Sequence, residues 1–401
     1  MTNVGRCGDW IVVGGGIVGS ALGYELARVG FSVQLLEQSP APANATRYSY
    51  GGISYWSATT AFMRQLSQEG IALYRDLSAE LDIDIQFQER DLLLTIEPGC
   101  DPAAIAATYA DCLQPPRLLD VSTATDVEPL LNPDAIAAAL YATHGHVEPE
   151  RMTQAYQQAM TRLGGRVEYA TVQDFLRMGD RIQGVVTSAG TFTAANVVVS
   201  VGGLCRSLLK KVGVTLPIYF TQAEVVDLEP SHVKVRSLLM PAVLKRFALE
   251  ATAGDIKNDA QWDVPDQEIA PPILDVGIVP FQDGRIRLGQ ISRVCTTPRL
   301  VANATQSEQE IRYGAAKLIP QLHGLPGAWG SCLVAFSGDR LPLIGTLPGL
   351  EGIHLFSGFS NPFALMPPLA RRYAQHLKGS VDQEMAQFEP ARFALVDAPT
   401  P

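Results

Sequence analysis

Apolar positions along this chain change rhythm several times. Residues 10–13 (WIVV) form a short unbroken apolar run, as in a strand buried on both faces. Residues 20–29 repeat apolar side chains at helical spacing through Leu22, Leu26 and Val29, and 31–36 return to a strand pattern. A longer helical stripe follows through Phe62, Leu66, Leu73, Leu77 and Leu81. Strand patterns recur at 91–96, 181–187, 191–200, 273–281, 285–291 and 353–356. The pair 181–187 and 191–200 brackets a turn at 188–190, which predicts an antiparallel hairpin. From Ala364 the spacing is helical again, with Pro367 and Pro368 expected in the first turn, where a missing N–H costs little.

Between the first strand and the first helix the chain reads GGGIVG, residues 14–19. Gly14 permits a tight turn, Gly16 lets backbone amides approach a pyrophosphate at the positive helix end, and Gly19 lets helix and strand pack closely. Gly15, Ile17 and Val18 complete this loop. The second strand delivers Glu37, followed by Gln38. A carboxylate there accepts hydrogen bonds from a ribose 2′-OH and disfavours the 2′-phosphate of NADP. Strand, turn, helix and distal acid agree on a bound dinucleotide, with NAD and FAD both open. Residues 45–57 (ATRYSYGGISYWS) intervene where a simple NAD domain would add another strand and helix, and such a glycine-rich aromatic loop suits a long cofactor.

Composition narrows the partners. A net charge of −10 with no Lys/Arg run argues against nucleic acid. The polar first nine residues and the lack of an 18-residue apolar run predict neither signal peptide nor membrane span, hence a cytoplasmic protein. Six cysteines lie scattered without a C-x-x-C pair. His144 and His146 are the nearest approach to a metal pair, but no cysteine or carboxylate stands at ligand spacing, so no metal is expected.

With these segments in view, the chain resembles the D-amino-acid-oxidase-type FAD-dependent oxidoreductases, in particular the glycine oxidase and sarcosine oxidase branch, over nearly its whole length. The resemblance implies FAD. It places Thr46, Arg47, Gly51, Gly52 and Ile53 (in TRYSYGGI) beside the pyrophosphate and flavin ring. Residues 145–149 (GHVEP) look like the family's return into the FAD domain. Val172, in RVEYATVQDF, would hold the adenine through its backbone, and Ser200 and Gly202, in ANVVVSVGG, would sit at the cofactor. Asp339 opens the family's D-x-x-P-x-x-G signature, and Gly358, Phe359, Ser360, Asn361 and Pro362 form the turn before the closing helix, whose dipole would face the flavin's N1–C2=O edge. The fold implied is α/β: a Rossmann-like FAD-binding domain, discontinuous in sequence (1–85, 147–215 and 330–380), plus a substrate domain with a mainly antiparallel sheet (86–146 and 216–329). The tail, 381–401, is left unassigned.

The activity implied is oxidation of an amine or amino acid: hydride passes from the carbon bearing nitrogen to flavin N5, the imine hydrolyses, and electrons go on to O2 or an electron carrier. No side chain need act as acid or base. The chain departs from the family at one telling position. Five residues before Asp339, where glycine-oxidase-like relatives carry a carboxylate-clamping arginine, stands Val334. Either the substrate is not a simple α-amino acid, or one of Arg47, Arg287 and Arg293 replaces the clamp. Tyr50, Tyr55, Tyr219 and Phe220 are expected near a partly aromatic pocket, Tyr50 and Tyr219 as substrate contacts. Cys332, seven residues before Asp339, matches the cysteine that sarcosine-oxidase-like relatives join covalently to the flavin. A covalent link there and a buried free thiol beside non-covalent FAD both stay open. Two other classes also stand: a flavin hydroxylase, from the SGD of 337–339, and a dehydrogenase or electron-transfer subunit of a complex.

Overall fold

The computed structural model describes residues 8–298 and 303–393; Cys7 and the tail beyond 393 lie outside them. The apolar run 10–13 belongs to strand Gly8–Val13, which lies inside a sheet with a parallel neighbour on each side, Val33–Glu37 and Gly190–Val199. Trp10 and Val12 enter one core while Ile11 and Val13 enter another, which is why the run is apolar throughout. The order across this sheet is Leu343–Thr346, Ile353–Ser357, Gly190–Val199, Gly8–Val13, Val33–Glu37, Arg166–Tyr169. All pairings along it are parallel except that of Leu343–Thr346 with Ile353–Ser357. The first half of Gly190–Val199 also pairs antiparallel with Arg181–Thr187, the expected hairpin, and Val172–Met178 continues it.

The second sheet runs Gly327–Ser337, Ile218–Leu228, Ile286–Cys295, Glu268–Pro280, Leu238–Pro241, Gln88–Ile96, Ala138–His146, Gly52–Ile53, with Arg117–Leu119 also on Ala138–His146. It is antiparallel except where Leu238–Pro241 lies parallel to Gln88–Ile96. This is the expected α/β architecture, a Rossmann-like sheet beside a mainly antiparallel one. The segments that lead from one sheet to the other, around residues 46–57, 146–149 and 337–343, bring the ends of distant strands together.

The closing helix differs from expectation. It runs Pro362–Leu377, so Pro362 takes its first position and Pro367 and Pro368 lie in its interior rather than in the first turn. Each proline removes the N–H that would bond four residues back, freeing the carbonyls of Phe363 and Ala364. The neighbouring helix Ala61–Leu81 meets both. The Tyr74 hydroxyl donates to the Phe363 carbonyl at 2.8 Å, and Gly70 faces the Ala364 carbonyl so closely that a Cβ would lie 2.8 Å from it.

Candidate active site

A cleft of about 1190 Å3 opens between the two sheets. At one end it passes the glycine loop. Gly14 turns the chain at φ +104°, and a Cβ there would lie 2.5 Å from the Ser200 carbonyl; one on Gly19 would lie 2.0 Å from the Gly14 carbonyl. Gly16 is of another kind. A Cβ on it meets only the Thr46 hydroxyl at 3.3 Å and the Asn44 amide at 3.9 Å, and otherwise opens on the cleft. Helix Ile17–Arg28 starts at Gly16 without a side-chain cap. The Gly14 N–H is spent on the Leu36 carbonyl and the Ile17 N–H donates to Thr46 Oγ1 at 3.0 Å, which leaves those of Gly16 and Val18 to an anion. Glu37 lines the cleft beside them, held by the Gly15 N–H at 2.8 Å and the Ser39 N–H at 3.2 Å. The trough continues past Val172, Ser200 and Gly202 to Gly358–Pro362, where a second uncapped helix begins. Two uncapped helix starts joined by one long trough fit an FAD laid along it.

The other end of the cleft crosses the antiparallel sheet. Arg246 lines it from helix Lys245–Ala253. The Asp275 carboxylate accepts the backbone N–H groups of Lys245 (3.0 Å) and Arg246 (2.9 Å), fixing that helix start. The guanidinium itself makes no hydrogen bond among the described residues; Glu250 approaches it only to 3.7 Å, and Phe247 packs against it. Nearby, the Tyr50 hydroxyl is buried without a hydrogen-bond partner among the described residues, close over Gly277 and Gly289, where a Cβ would lie 3.1 Å from it. Burial pushes its pKa above the usual range, against the pull of Arg287 and Arg246. His144 also lines the cleft. Its Nδ1 accepts the Trp56 indole N–H at 3.0 Å, and burial lowers its pKa to about 4, so the neutral ring carries its proton on Nε2. That nitrogen stands over Gly52, 2.7 Å from where a Cβ would be.

Comparison with known proteins agrees. The profile of the DAO family, described as FAD dependent oxidoreductase, matches residues 9–376. This chain belongs to that family. Among curated relatives, glycine oxidase of Geobacillus kaustophilus (strain HTA426) is 26% identical over 96% of both chains. The 4-methylaminobutanoate oxidase (formaldehyde-forming) of Paenarthrobacter nicotinovorans is 28% identical over 57% of this chain and 27% of its own. Among solved structures, glycine oxidase from Geobacillus kaustophilus superposes with a TM-score of 0.79 at 22% identity, over 97% of this chain and 100% of that one. L-proline dehydrogenase from P. horikoshii reaches 0.77 at 20% identity, over 97% and 98%.

Within this FAD-dependent oxidoreductase the expected cofactor residues divide. Gly14, Gly16, Ile17, Val18, Glu37, Gln38, Thr46, Gly52, Val172, Ser200, Gly202, Asp339 and Gly358 to Pro362 line the cleft. Gly15, Gly19, Gly51 and Ile53 pack behind it, Gly51 because a Cβ would lie 2.1 Å from the Val147 carbonyl. Asp339 directs its carboxylate away to Arg392, at 2.7 and 3.0 Å, which clasps residues 390–392 onto the signature loop. Burial raises its pKa, but Arg392 more than offsets this and the net shift is downward.

The expected clamp arginines are not brought to the cleft. Arg287 is fully buried in a two-pronged pair with Asp227 (2.6 and 2.8 Å) and donates to the Ser49 carbonyl. Arg293 pairs with buried Glu224 at 2.6 Å, and Arg47 is exposed, near the Tyr48 ring. Tyr219 is likewise buried elsewhere, bonded to Asp259 at 2.6 Å and stacked on Trp262, with Phe220 in the same cluster. Tyr55 donates to Glu89 at 3.1 Å. Sequence reasoning did not single out Arg246, His144 as a cleft donor, Trp56 or Tyr109. The only local signal for Arg246 was its spacing of four from Glu250, common on any helix.

Proposed function

We propose that this oxidoreductase oxidises the C–H bond beside the nitrogen of an amino acid whose carboxylate is held by Arg246, with FAD bound non-covalently. The observation that carries the reading is a cleft arginine with its hydrogen bonds unspent, beside the unpartnered Tyr50 hydroxyl. A carboxylate between them would gain charge-assisted bonds that neither group now makes. Bound FAD supplies the two-electron acceptor. Substrate orientation falls to Arg246, Tyr50 and the Nε2–H of His144, which can donate to the substrate. The carboxylates that line the cleft, Glu37 and Asp339, are engaged by Gly15 and Arg392, so neither serves the amine as a base. His144 cannot take a proton near neutral pH either, with a pKa of about 4. The amine therefore reaches the reaction as its free base, losing its proton to water. Glycine oxidase among the relatives supports this class. Cys332 lines the cleft, but burial pushes its thiol up to about 12, which withholds the thiolate a covalent link needs.

The test is anaerobic reduction of the purified yellow protein by a panel of amino acids and uncharged amines, with and without Arg246→Ala. Reduction by amino acids that weakens in the variant supports the reading. Reduction by uncharged amines alone, unaffected by the variant, overturns it, as does reduction by NAD(P)H alone. Acid precipitation reads the attachment: yellow supernatant is expected, and a yellow pellet would show a covalent bond. Reoxidation in air separates O2 from a protein or quinone carrier as acceptor.

A further inference from the structure

Besides Tyr50 and Arg246 the cleft has an apolar chamber that the carboxylate and amine of an amino acid would leave uncovered. Its floor is one face of the antiparallel sheet. Leu92 and Leu94 lie beside Leu238 and Met240 in register, and Val279 extends the same surface. The alternate residues Leu93, Leu239 and Ile278 point the other way, into a separate core, so the floor is apolar through strand alternation and not by chance exposure. Trp56 and Tyr109 add an aromatic wall to the lining, their ring centroids 6.1 Å apart.

Both aromatic residues have their polar ends already satisfied by protein. The Trp56 indole donates to His144 and the Tyr109 hydroxyl to the Ala242 carbonyl. What they offer the chamber is ring surface alone. The wall is also tied in place, because the Leu113 N–H bonds the Ala58 carbonyl at 2.8 Å and the Gln114 N–H bonds the Trp56 carbonyl at 3.0 Å. The chamber is continuous with the carboxylate end: a Cβ on Gly277 would touch both the Met240 sulfur (2.9 Å) and the Tyr50 hydroxyl (3.1 Å).

We infer that the substrate is an amino acid with a large apolar side chain, which lies against the leucine and methionine floor and the rings of Trp56 and Tyr109. The inference rests on the amino-acid reading above. Apolar surface on both partners leaves water, and each methylene buried there raises affinity by a factor of about four. Glycine would leave these apolar surfaces wetted, and the leucine, methionine and ring faces offer a charged side chain no partner.

Two measurements on the FAD-loaded protein decide the matter. In the first, straight-chain carboxylates from acetate to hexanoate, and phenylpropionate, are titrated against the flavin absorbance as non-oxidisable probes. Kd should fall about fourfold per methylene. In the second, kcat/KM is compared for glycine, alanine, leucine, methionine, phenylalanine and glutamate, each in both enantiomers. Leucine, methionine or phenylalanine should exceed alanine by tenfold or more. Met240→Trp, which fills the chamber, should lower the leucine-to-alanine ratio at least tenfold while the variant still binds FAD; Leu94→Phe gives a second, milder filling should that variant misfold. A carboxylate series with no chain-length dependence, or glycine or glutamate as the best substrate, overturns the apolar chamber and leaves the amino-acid reading standing. If no amino acid reduces the flavin and no carboxylate perturbs it, both fall together.

Discussion

A guanidinium in a cavity holds a carboxylate only if it has hydrogen bonds left to give. Arg287 has spent its own on Asp227 and Ser49, and Arg293 is paired with Glu224, whereas Arg246 meets Glu250 only at 3.7 Å. The two kinds of arginine should therefore respond differently to truncation. Arg246→Ala should lower kcat/KM on amino acids by about 2–5 kcal/mol of transition-state binding, thirtyfold or more, in protein that still binds FAD. Arg287→Ala should instead cost about 2–4 kcal/mol of folding stability, because it empties a fully buried guanidinium site and leaves the partly buried Asp227 charge unpaired; urea unfolding checks this. Unchanged kcat/KM on amino acids in folded, FAD-loaded Arg246→Ala protein would remove the distinction. Gly16→Val should purify colourless, since its side chain would occupy the space that a pyrophosphate needs beside an uncapped helix start.

Helices Ala61–Leu81 and Pro362–Leu377 pack through a defect that each makes tolerable for the other. Pro367 and Pro368 free two carbonyls, and these face Tyr74 and Gly70 of the neighbour, where one finds a hydroxyl and the other close backbone. Tyr74→Phe would leave the Phe363 carbonyl buried without its partner and should cost about 1–3 kcal/mol, measured as a shift in denaturant midpoint at constant m. Both helices were legible as apolar stripes. The pairing was not, because hydrogen bonds missing from one helix leave no mark on the sequence of the other.

Two buried histidines, His146 and His354, and the cleft-lining His144 set the protein's response to acid. Burial lowers His144 and His354 to about 4 and His146 to about 3, below the ordinary value of about 6.5. A folded-state pKa below the unfolded one means that the unfolded chain binds more protons between the two values. The stability is thus fully present above about pH 6.5 and is lost as pH falls from there toward 4. Melting temperature should decline across that window, and His354→Asn should flatten the decline; a flat wild-type profile between pH 6.5 and 4.5 would refute it. Cofactor acts in the opposite sense, and free FAD at a hundred times its Kd should add about 2.7 kcal/mol to the apoprotein. What the chain order alone determined was local: strand, glycine turn, helix and acid within residues 10–38 are neighbours in sequence, so their pattern by itself specifies a bound dinucleotide. The alternating strands and the signature near Asp339 carried the fold class in the same way. The substrate end was decided by long-range assembly. Arg246, Tyr50, His144, Leu92 and Met240 come from five separate segments, and each is an ordinary residue in its own stretch. Whether an arginine is spent or free depends on which distant carboxylate the sheet register sets beside it. That register places Arg287 opposite Asp227 and Arg293 opposite Gln222, with Glu224 two residues further along the same strand, and leaves Arg246 facing the cleft.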